Sequence, residues 1–136
     1  MKITRRRLFL LLSIAAAHVC AQPAERPYVV LVSLDGFRYD YAERDKAANI
    51  LAIRDAGAAA PSMIPCFPSV TFPNHLSIIT GLYPEHHGIV GNSFYDPARD
   101  ASYGMSTTAT DGTWYSGTPL WMLAEQQGVH AASMCW

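Results

Sequence analysis

The first apolar run in the body of the chain covers residues 28–34, and polar residues barely interrupt it. The run contains three valines and is followed at once by the turn dipeptide Asp35-Gly36. Apolar runs of this length that are rich in β-branched residues are typical of strands buried on both faces of a parallel sheet. We therefore predict a strand over residues 28–34 that ends at Asp35.

Three later segments have apolar positions at helical spacing, and each is followed by a glycine that can end a helix. The second segment begins at Thr71, which favours the N-cap position, and carries Pro73 in the first turn, where proline is tolerated. The predicted helices cover residues 47–56, 71–80 and 119–127, and the glycines after them are Gly57, Gly81 and Gly128.

The remaining segments complete the pattern of an α/β protein. Residues 58–68 are interrupted by prolines and are predicted to be extended, residues 83–117 are predicted to be mainly loops, and the run 129–136 predicts a second strand. The order strand, helix, helix, helix, strand indicates an α/β fold. Two or three strands are too few to cover with helices on both faces, so we expect residues 22–136 to be the N-terminal portion of a larger domain.

The start of the chain, residues 1–21, has the layout of a secretory signal peptide. A basic start precedes an apolar run over residues 8–17 that is too short to span a bilayer, and small residues come just before Gln22. Arg6-Arg7 and the residues after them also resemble a twin-arginine signal. We expect this segment to be removed and the remainder to be exported, to a periplasmic or extracellular location, without a membrane span. A membrane anchor and a buried helix are the alternatives.

Composition places the rest of the chain among ordinary globular proteins and argues against nucleic-acid binding. Hydrophobic residues make up 50% and charged residues 15% of the 136 residues, so the composition is not that of a disordered chain. Four of the ten Lys and Arg residues lie in the first seven positions, which leaves an acidic body. Nucleic-acid binding needs a basic surface that displaces counterions. We therefore expect no nucleic-acid-binding module.

The chain has three cysteines, and their spacing forms no paired C-x-x-C zinc motif. Cys20 belongs to the predicted signal peptide. Cys66 and Cys135 have two interpretations, namely a disulfide in an exported protein or two small packed residues.

Two residues at the ends of predicted elements have side chains suited to metal and phosphate chemistry. Ligands of an open parallel sheet bind at the carboxyl ends of the strands, where Asp35 offers oxygen ligands for a divalent metal. Its alternative role is that of a turn residue. Thr71 lies at a predicted helix N-terminus, which favours phosphate, and a nearby metal would make its hydroxyl a usable nucleophile. Its alternative role is that of a structural N-cap.

Asn92 is the third candidate, in a loop where Gly88 and Gly91 allow a ligand to approach the backbone closely. Its side-chain NH₂ group can donate to a phosphoryl oxygen on which charge develops. The alternative is a loop asparagine in a left-handed turn. Three histidines are further metal-ligand candidates for which we favour structural or supporting roles, namely His75, His86 and His87.

Three longer motifs follow one another along the chain: VSLDGFR at 32–38, FPSVTFPNH at 67–75 and TGLYPEHHGIVGNSFYDP at 80–97. Their sequence, order and spacing resemble the nucleotide pyrophosphatase/phosphodiesterase family of the alkaline phosphatase superfamily. The resemblance implies an alkaline-phosphatase-like three-layer fold, with a mainly parallel central sheet between helices. It also implies a hydrolase with two zinc ions per site that acts on small-molecule phosphodiesters or nucleotides.

The resemblance implies a role for each candidate residue. Asp35 matches a zinc-binding aspartate, and Thr71 matches the nucleophile, which also binds zinc. Asn92 matches the asparagine that holds the phosphoryl oxygen, and the backbone N–H of Phe72 matches a second donor to that oxygen. The implied reaction consists of two in-line displacements, in which Thr71 attacks phosphorus and water then hydrolyses the phosphothreonine.

The family's remaining zinc ligands are aspartates and histidines of later motifs that this sequence does not contain. We therefore expect zinc-dependent hydrolysis by a longer parent protein and no activity from the 136 residues alone. One alternative is a sulfatase-like or other hydrolase of the superfamily, because Cys66 and Pro68 match the start of a Cys-x-Pro-x-Arg signature, although Val70 replaces the arginine. The other alternative is a truncated product without catalytic function.

Overall fold

The computed structural model describes residues 27–134. The predicted signal peptide at 1–21 and Cys135 lie outside the described residues, so what the sequence indicates for them stays a prediction. The chain divides into two compact units, Met1–Val32 and Ser33–Trp136, and every candidate site residue belongs to the second unit.

The described residues form five α-helices, a short 3₁₀-helix and a hairpin of two antiparallel strands. No helix in this part of the chain is long and apolar enough to cross a membrane. The α-helices are α1 (Tyr41–Arg44), α2 (Ala48–Ala56), α3 (Thr71–Thr80), α4 (Pro84–His87) and α5 (Leu120–Gln126), the strands are β1 (Ser93–Asp96) and β2 (Ala101–Gly104), and the 3₁₀-helix is Gly112–Trp114.

The three helices predicted from the sequence are present as α2, α3 and α5. Gly81 after α3 and Gly128 after α5 have φ values of 71° and 72°, in the left-handed region that glycine adopts at little cost. The start of α3 differs from the prediction, because Val70 is the N-cap and Thr71 is already helical. The prediction that Thr71 caps the helix is therefore wrong, since its hydroxyl has another partner.

The parallel sheet predicted from the two apolar runs is not confirmed. Residues 28–34 and 129–134 contain no β-strand, and Tyr28, Val29 and Val30 are 101%, 87% and 83% exposed. A β-strand forms only when its backbone is hydrogen-bonded to a neighbouring strand. In the described part of the chain the hairpin is the only sheet, and neither apolar run pairs with it. An apolar pattern shows what a segment can bury, but it does not supply the partner strand.

The segment 83–117, predicted to be mainly loops, contains α4, the hairpin and the 3₁₀-helix. The hairpin pairs Phe94 with Tyr103 and Tyr95 with Ser102. These elements take up 15 of the segment's 35 residues, so loops do dominate it, but the hairpin and the two short helices were not predicted. A strand of four residues is too short to show a clear alternation of polar and apolar positions. The turn-forming residues around the two strands therefore determined the prediction.

The core of the second unit lies between α3 and the hairpin. Ile89, Tyr103 and Trp114 form its buried centre. The Tyr103 ring stacks on Phe94 with centroids 5.1 Å apart and meets Phe72 edge to face at 6.2 Å, arrangements that stabilise aromatic pairs. Because Phe72 is the second residue of α3, this core holds the end of the helix that carries the candidate site.

Candidate active site

The structure brings Asp35 and Thr71 together from positions 36 residues apart in the sequence. The Thr71 hydroxyl donates a hydrogen bond to Asp35 Oδ2 over 3.1 Å, and the Asp35 side chain is 60% exposed. Asp35 also lies in a turn with Gly36, as the alternative interpretation predicted. Turn and site roles are therefore compatible, because the turn directs the carboxylate toward the first residue of α3.

His75 lies one helical turn after Thr71 and faces the same carboxylate. Its Nε2 atom lies 3.8 Å from Asp35 Oδ1, and its Nδ1 atom lies 3.1 Å from the Ser33 hydroxyl oxygen. Residues four positions apart share one face of a helix, which explains why Thr71 and His75 both reach Asp35. Sequence reasoning gave His75 a supporting role but did not connect it with Ser33 or Asp35.

Asn92 and Phe72 also meet, although differently from the arrangement that the resemblance implied. The Phe72 backbone N–H donates to Asn92 Oδ1 over 3.0 Å, and the Met105 N–H donates to the Asn92 backbone oxygen over 3.2 Å. The positive-φ residues other than glycine in the described chain do not include Asn92, which excludes the left-handed turn. The Asn92 side chain thus directs its oxygen toward the start of α3.

A cavity of about 710 Å³ adjoins these residues. Thr71 and Asp35 lie on its wall, and much of the rest is apolar and aromatic, with Leu76, Tyr115 and Trp121 among the lining residues. The first N–H groups of α3 have no acceptor within the helix, and the N-terminal end of a helix dipole is positive. The site therefore combines a hydroxyl, a carboxylate and a helix N-terminus at the edge of a cavity large enough for a small molecule.

His87 is fully buried and makes hydrogen bonds through both ring nitrogens. The Ile89 N–H donates to Nδ1 over 3.2 Å, and Nε2 lies 3.0 Å from the Ser77 hydroxyl oxygen. Burial lowers the pKa of His87 below its ordinary value, so the ring is neutral at pH 7. This environment agrees with the structural role favoured for His87, whereas His86 is exposed beside Glu85.

We expect the second unit to lose stability as the pH falls below the pKa of an unfolded histidine, about 6.5. The folded-state pKa of His87 is lower, so the unfolded chain binds the proton more readily. The contribution of His87 is complete above that pH and decreases below it. Urea unfolding between pH 5 and pH 8 measures this dependence. His87→Phe should weaken it and His86→Phe should preserve it; equal slopes in both variants would contradict the assignment.

Cys66 is a free, half-buried thiol whose sulfur accepts a hydrogen bond from the Ser77 hydroxyl over 3.4 Å. This contact is the one expected of a packed cysteine, and the alternative of a disulfide with Cys135, which lies outside the described residues, stays a prediction. Thr71, not Cys66, contacts the candidate carboxylate Asp35.

Comparison with known proteins decides the family. The model of the type I phosphodiesterase/nucleotide pyrophosphatase family matches residues 29–136. The chain belongs to this family. The resemblance of the three motifs is thereby confirmed, and the matched residues of this phosphodiesterase-family chain include Asp35, Thr71, Phe72 and Asn92.

Curated relatives of the phosphodiesterase-family chain come from fungi and animals. It is 45% identical over 111 residues to an uncharacterised pyrophosphatase/phosphodiesterase of Schizosaccharomyces pombe, covering 79% of this chain and 23% of the relative. It is 40% identical over 120 residues to human ectonucleotide pyrophosphatase/phosphodiesterase family member 1, covering 86% of this chain and 13% of the relative. It is 37% identical over 125 residues to a venom phosphodiesterase of Macrovipera lebetinus, covering 90% of this chain and 15% of the relative. The chain thus spans less than a quarter of the length of these relatives.

Proposed function

We propose that this family member is part of an enzyme that hydrolyses phosphodiester and pyrophosphate bonds in small molecules such as nucleotides. One observation carries the proposal. Thr71 is the first residue of α3, and its hydroxyl donates a hydrogen bond to Asp35 over 3.1 Å. The family match and the names of the relatives support this reaction class. We also propose the three-layer fold with a parallel central sheet for the complete domain, supported by the family and by the two unpaired apolar runs.

Thr71 acts as the nucleophile in this proposal. Its oxygen forms a bond to phosphorus as the hydroxyl proton is released toward Asp35 Oδ2, while the bond to the alcohol or nucleotide breaks on the opposite side and that leaving group takes up a proton. Water then hydrolyses the phosphothreonine, which releases the phosphoryl group and restores the Thr71 hydroxyl. The hydroxyl proton is held toward Asp35 Oδ2, which leaves the lone pairs of the oxygen available for attack. The N-terminus of α3 favours the negative charge of the phosphoryl group beside Thr71.

Asn92 binds the phosphoryl oxygen through its side-chain NH₂ group. The Phe72 N–H holds Asn92 Oδ1, so the amide is oriented with its NH₂ group available to an oxygen on which charge develops. In this arrangement the Phe72 N–H acts through Asn92. Direct donation from Phe72 to the phosphoryl oxygen, as the resemblance implies, requires the substrate to replace Asn92 Oδ1 as its acceptor.

Zinc suits the oxygen donors at this site. Asp35 and Thr71 supply a carboxylate and a hydroxyl oxygen 3.1 Å apart, and carboxylate oxygens are regular zinc ligands. When bound, zinc lowers the pKa of a coordinated hydroxyl and stabilises charge on a phosphoryl group. Between residues 27 and 134, no three or more His, Cys, Asp or Glu side chains are grouped to hold a metal. We propose that Asp35 and Thr71 form part of a two-zinc site whose other ligands come from elsewhere in the complete enzyme.

We expect the 136-residue chain alone to bind zinc weakly and to lack diesterase activity, because a catalytic zinc site ordinarily has three protein ligands. Calorimetric titration with zinc and an assay with a chromogenic aryl phosphodiester measure both properties. Asp35→Asn should remove the residual zinc binding, and Asp55→Asn on the exposed surface of α2 is the matched control. Tight binding of two zinc ions with turnover would show that the described residues supply ligands we assign elsewhere.

The enzyme expressed from the complete gene tests the reaction class. It should hydrolyse the aryl phosphodiester faster than the corresponding aryl sulfate, lose the activity on chelation and regain it with zinc. Preference for the sulfate would instead support the sulfatase alternative. Absence of both activities in the folded, zinc-loaded protein would support the truncated, non-catalytic alternative.

A further inference from the structure

His87 is the buried polar side chain of the described residues, and its hydrogen bonds fix the position of its proton. The ring has no exposed surface. Because the Ile89 N–H donates to Nδ1 over 3.2 Å, Nδ1 carries no proton, and the neutral ring holds its proton on Nε2. Nε2–H therefore faces the Ser77 hydroxyl oxygen 3.0 Å away and the backbone of Pro73, with which the ring also forms a hydrogen bond, and both acceptors belong to α3.

The direction of these bonds decides what the Ser77–His87 pair can do. Ser77 Oγ accepts a hydrogen bond from His87, and the Ser77 O–H donates one to Cys66 Sγ over 3.4 Å. A general base must accept the proton of its nucleophile, whereas His87 donates to Ser77. Ser77 and His87 therefore do not act as a serine nucleophile and its general base, although a serine and a histidine can form such a pair.

The two ring bonds of His87 join two parts of the candidate site. Ser77 belongs to α3, the helix that begins with Thr71 and Phe72. Ile89 lies three residues before Asn92, and its side chain is buried in the core. His87 thus ties the segment that leads to Asn92 onto the helix that carries the nucleophile.

We propose that His87 is a positioning residue that holds Asn92 Oδ1 against the Phe72 N–H and so orients the Asn92 NH₂ group toward the substrate. The inference rests on the proposed function only for the last step, the contact with a phosphoryl oxygen. Its structural part concerns the Asn92–Phe72 bond of 3.0 Å and needs neither metal nor substrate.

Nuclear magnetic resonance of the ¹⁵N-labelled chain tests the structural part. The His87 ring should show the Nε2–H tautomer at pH 7.5. In His87→Phe, which keeps a ring but removes both nitrogens, the Phe72 amide should exchange with solvent about tenfold faster, as expected for loss of a hydrogen bond. The amide of Ile79, a buried residue of α3, serves as the reference for global opening. His86→Phe is the matched control and should change neither rate.

Ser77→Ala keeps the proposal testable if His87→Phe fails to fold. Alanine is a good helix former, and this change removes one of the two ring bonds, so a smaller acceleration at Phe72 is expected. A Phe72 rate that changes only in parallel with that of Ile79, or an Nδ1–H tautomer, would overturn the proposal.

The complete enzyme tests the connection with catalysis. His87→Phe should lower kcat about tenfold, which is the effect of one misplaced hydrogen bond. In an enzyme that already carries Asn92→Ala, adding His87→Phe should lower kcat no further. Additive losses in the two backgrounds would show that His87 does not act through Asn92. If the enzyme proves to have no diesterase activity, the proposed function fails while the resonance experiment still decides the structural part.

Discussion

Replacing Thr71 with alanine is expected to lower the diesterase rate of the complete enzyme by about 10³-fold or more, because a covalent mechanism loses its nucleophile and keeps only binding and electrostatic contributions. In the structure the Thr71 hydroxyl donates a hydrogen bond to Asp35 at the N-terminus of α3, the position from which we propose that it attacks phosphorus. The measurement is kcat/KM for an aryl phosphodiester, together with trapping of the phosphorylated enzyme, which should disappear in the variant.

Two control variants make this experiment specific. Thr71→Ser keeps the hydroxyl and should retain far more activity than Thr71→Ala. Thr107→Ala makes the same chemical change in the exposed turn after β2, away from the cavity, where the hydroxyl donates to the Gly104 carbonyl over 3.4 Å. Its effect should be small and confined to stability. Activity of Thr71→Ala close to that of the parent would refute the role of Thr71 as nucleophile.

Replacing Tyr103 with alanine is expected to produce the largest loss of stability, about 3–5 kcal/mol in the free energy of unfolding, as for other large-to-small changes in cores. Tyr103 is 1% exposed, and its ring contacts four other aromatic rings, those of Phe72, Phe94, Trp114 and Tyr115. Its removal leaves a cavity at the centre of the cluster. Urea unfolding followed by tryptophan fluorescence measures the change.

The Tyr103 hydroxyl contributes much less than the ring. Tyr115 donates to the Ala109 carbonyl over 2.6 Å, so Tyr103 is the donor in the 2.8 Å bond between the two hydroxyl groups. Tyr103→Phe should therefore cost about 1 kcal/mol, the ordinary net value of one hydrogen bond. Tyr83→Ala, at a side chain that is 67% exposed, should be nearly neutral. A loss for Tyr103→Ala no larger than for Tyr83→Ala would show that the aromatic cluster is not the core.

Tyr103 also connects stability with the site. Its ring packs against Phe72, whose backbone N–H holds Asn92 Oδ1. Binding groups keep their geometry when their neighbours are rigidly packed. The hairpin, which the sequence did not predict, therefore supports Phe72 and Asn92, which the sequence did identify as candidate site residues.

Local patterns in the sequence were sufficient for the helices and for the candidate residues. Apolar spacing and a following glycine predicted α2, α3 and α5, because both signals act within a few neighbouring residues. The motifs around Asp35, Thr71 and Asn92 indicated the family that the comparison then showed. The strand predicted at 28–34 was not found, since a strand depends on a distant partner that no local pattern specifies.

The sequence by itself determined the family, three helices and the identity of the residues suited to phosphate chemistry, since these depend on residue types and short spacings. Only the tertiary structure decided which of these residues meet. It placed the Thr71 hydroxyl beside Asp35, 36 positions earlier in the chain, brought the Phe72 N–H to Asn92 Oδ1, and buried the His87 ring between Ser77 and the Ile89 N–H. Such contacts arise from long-range packing, in which buried polar groups must find partners, and that requirement appears only when the chain is folded.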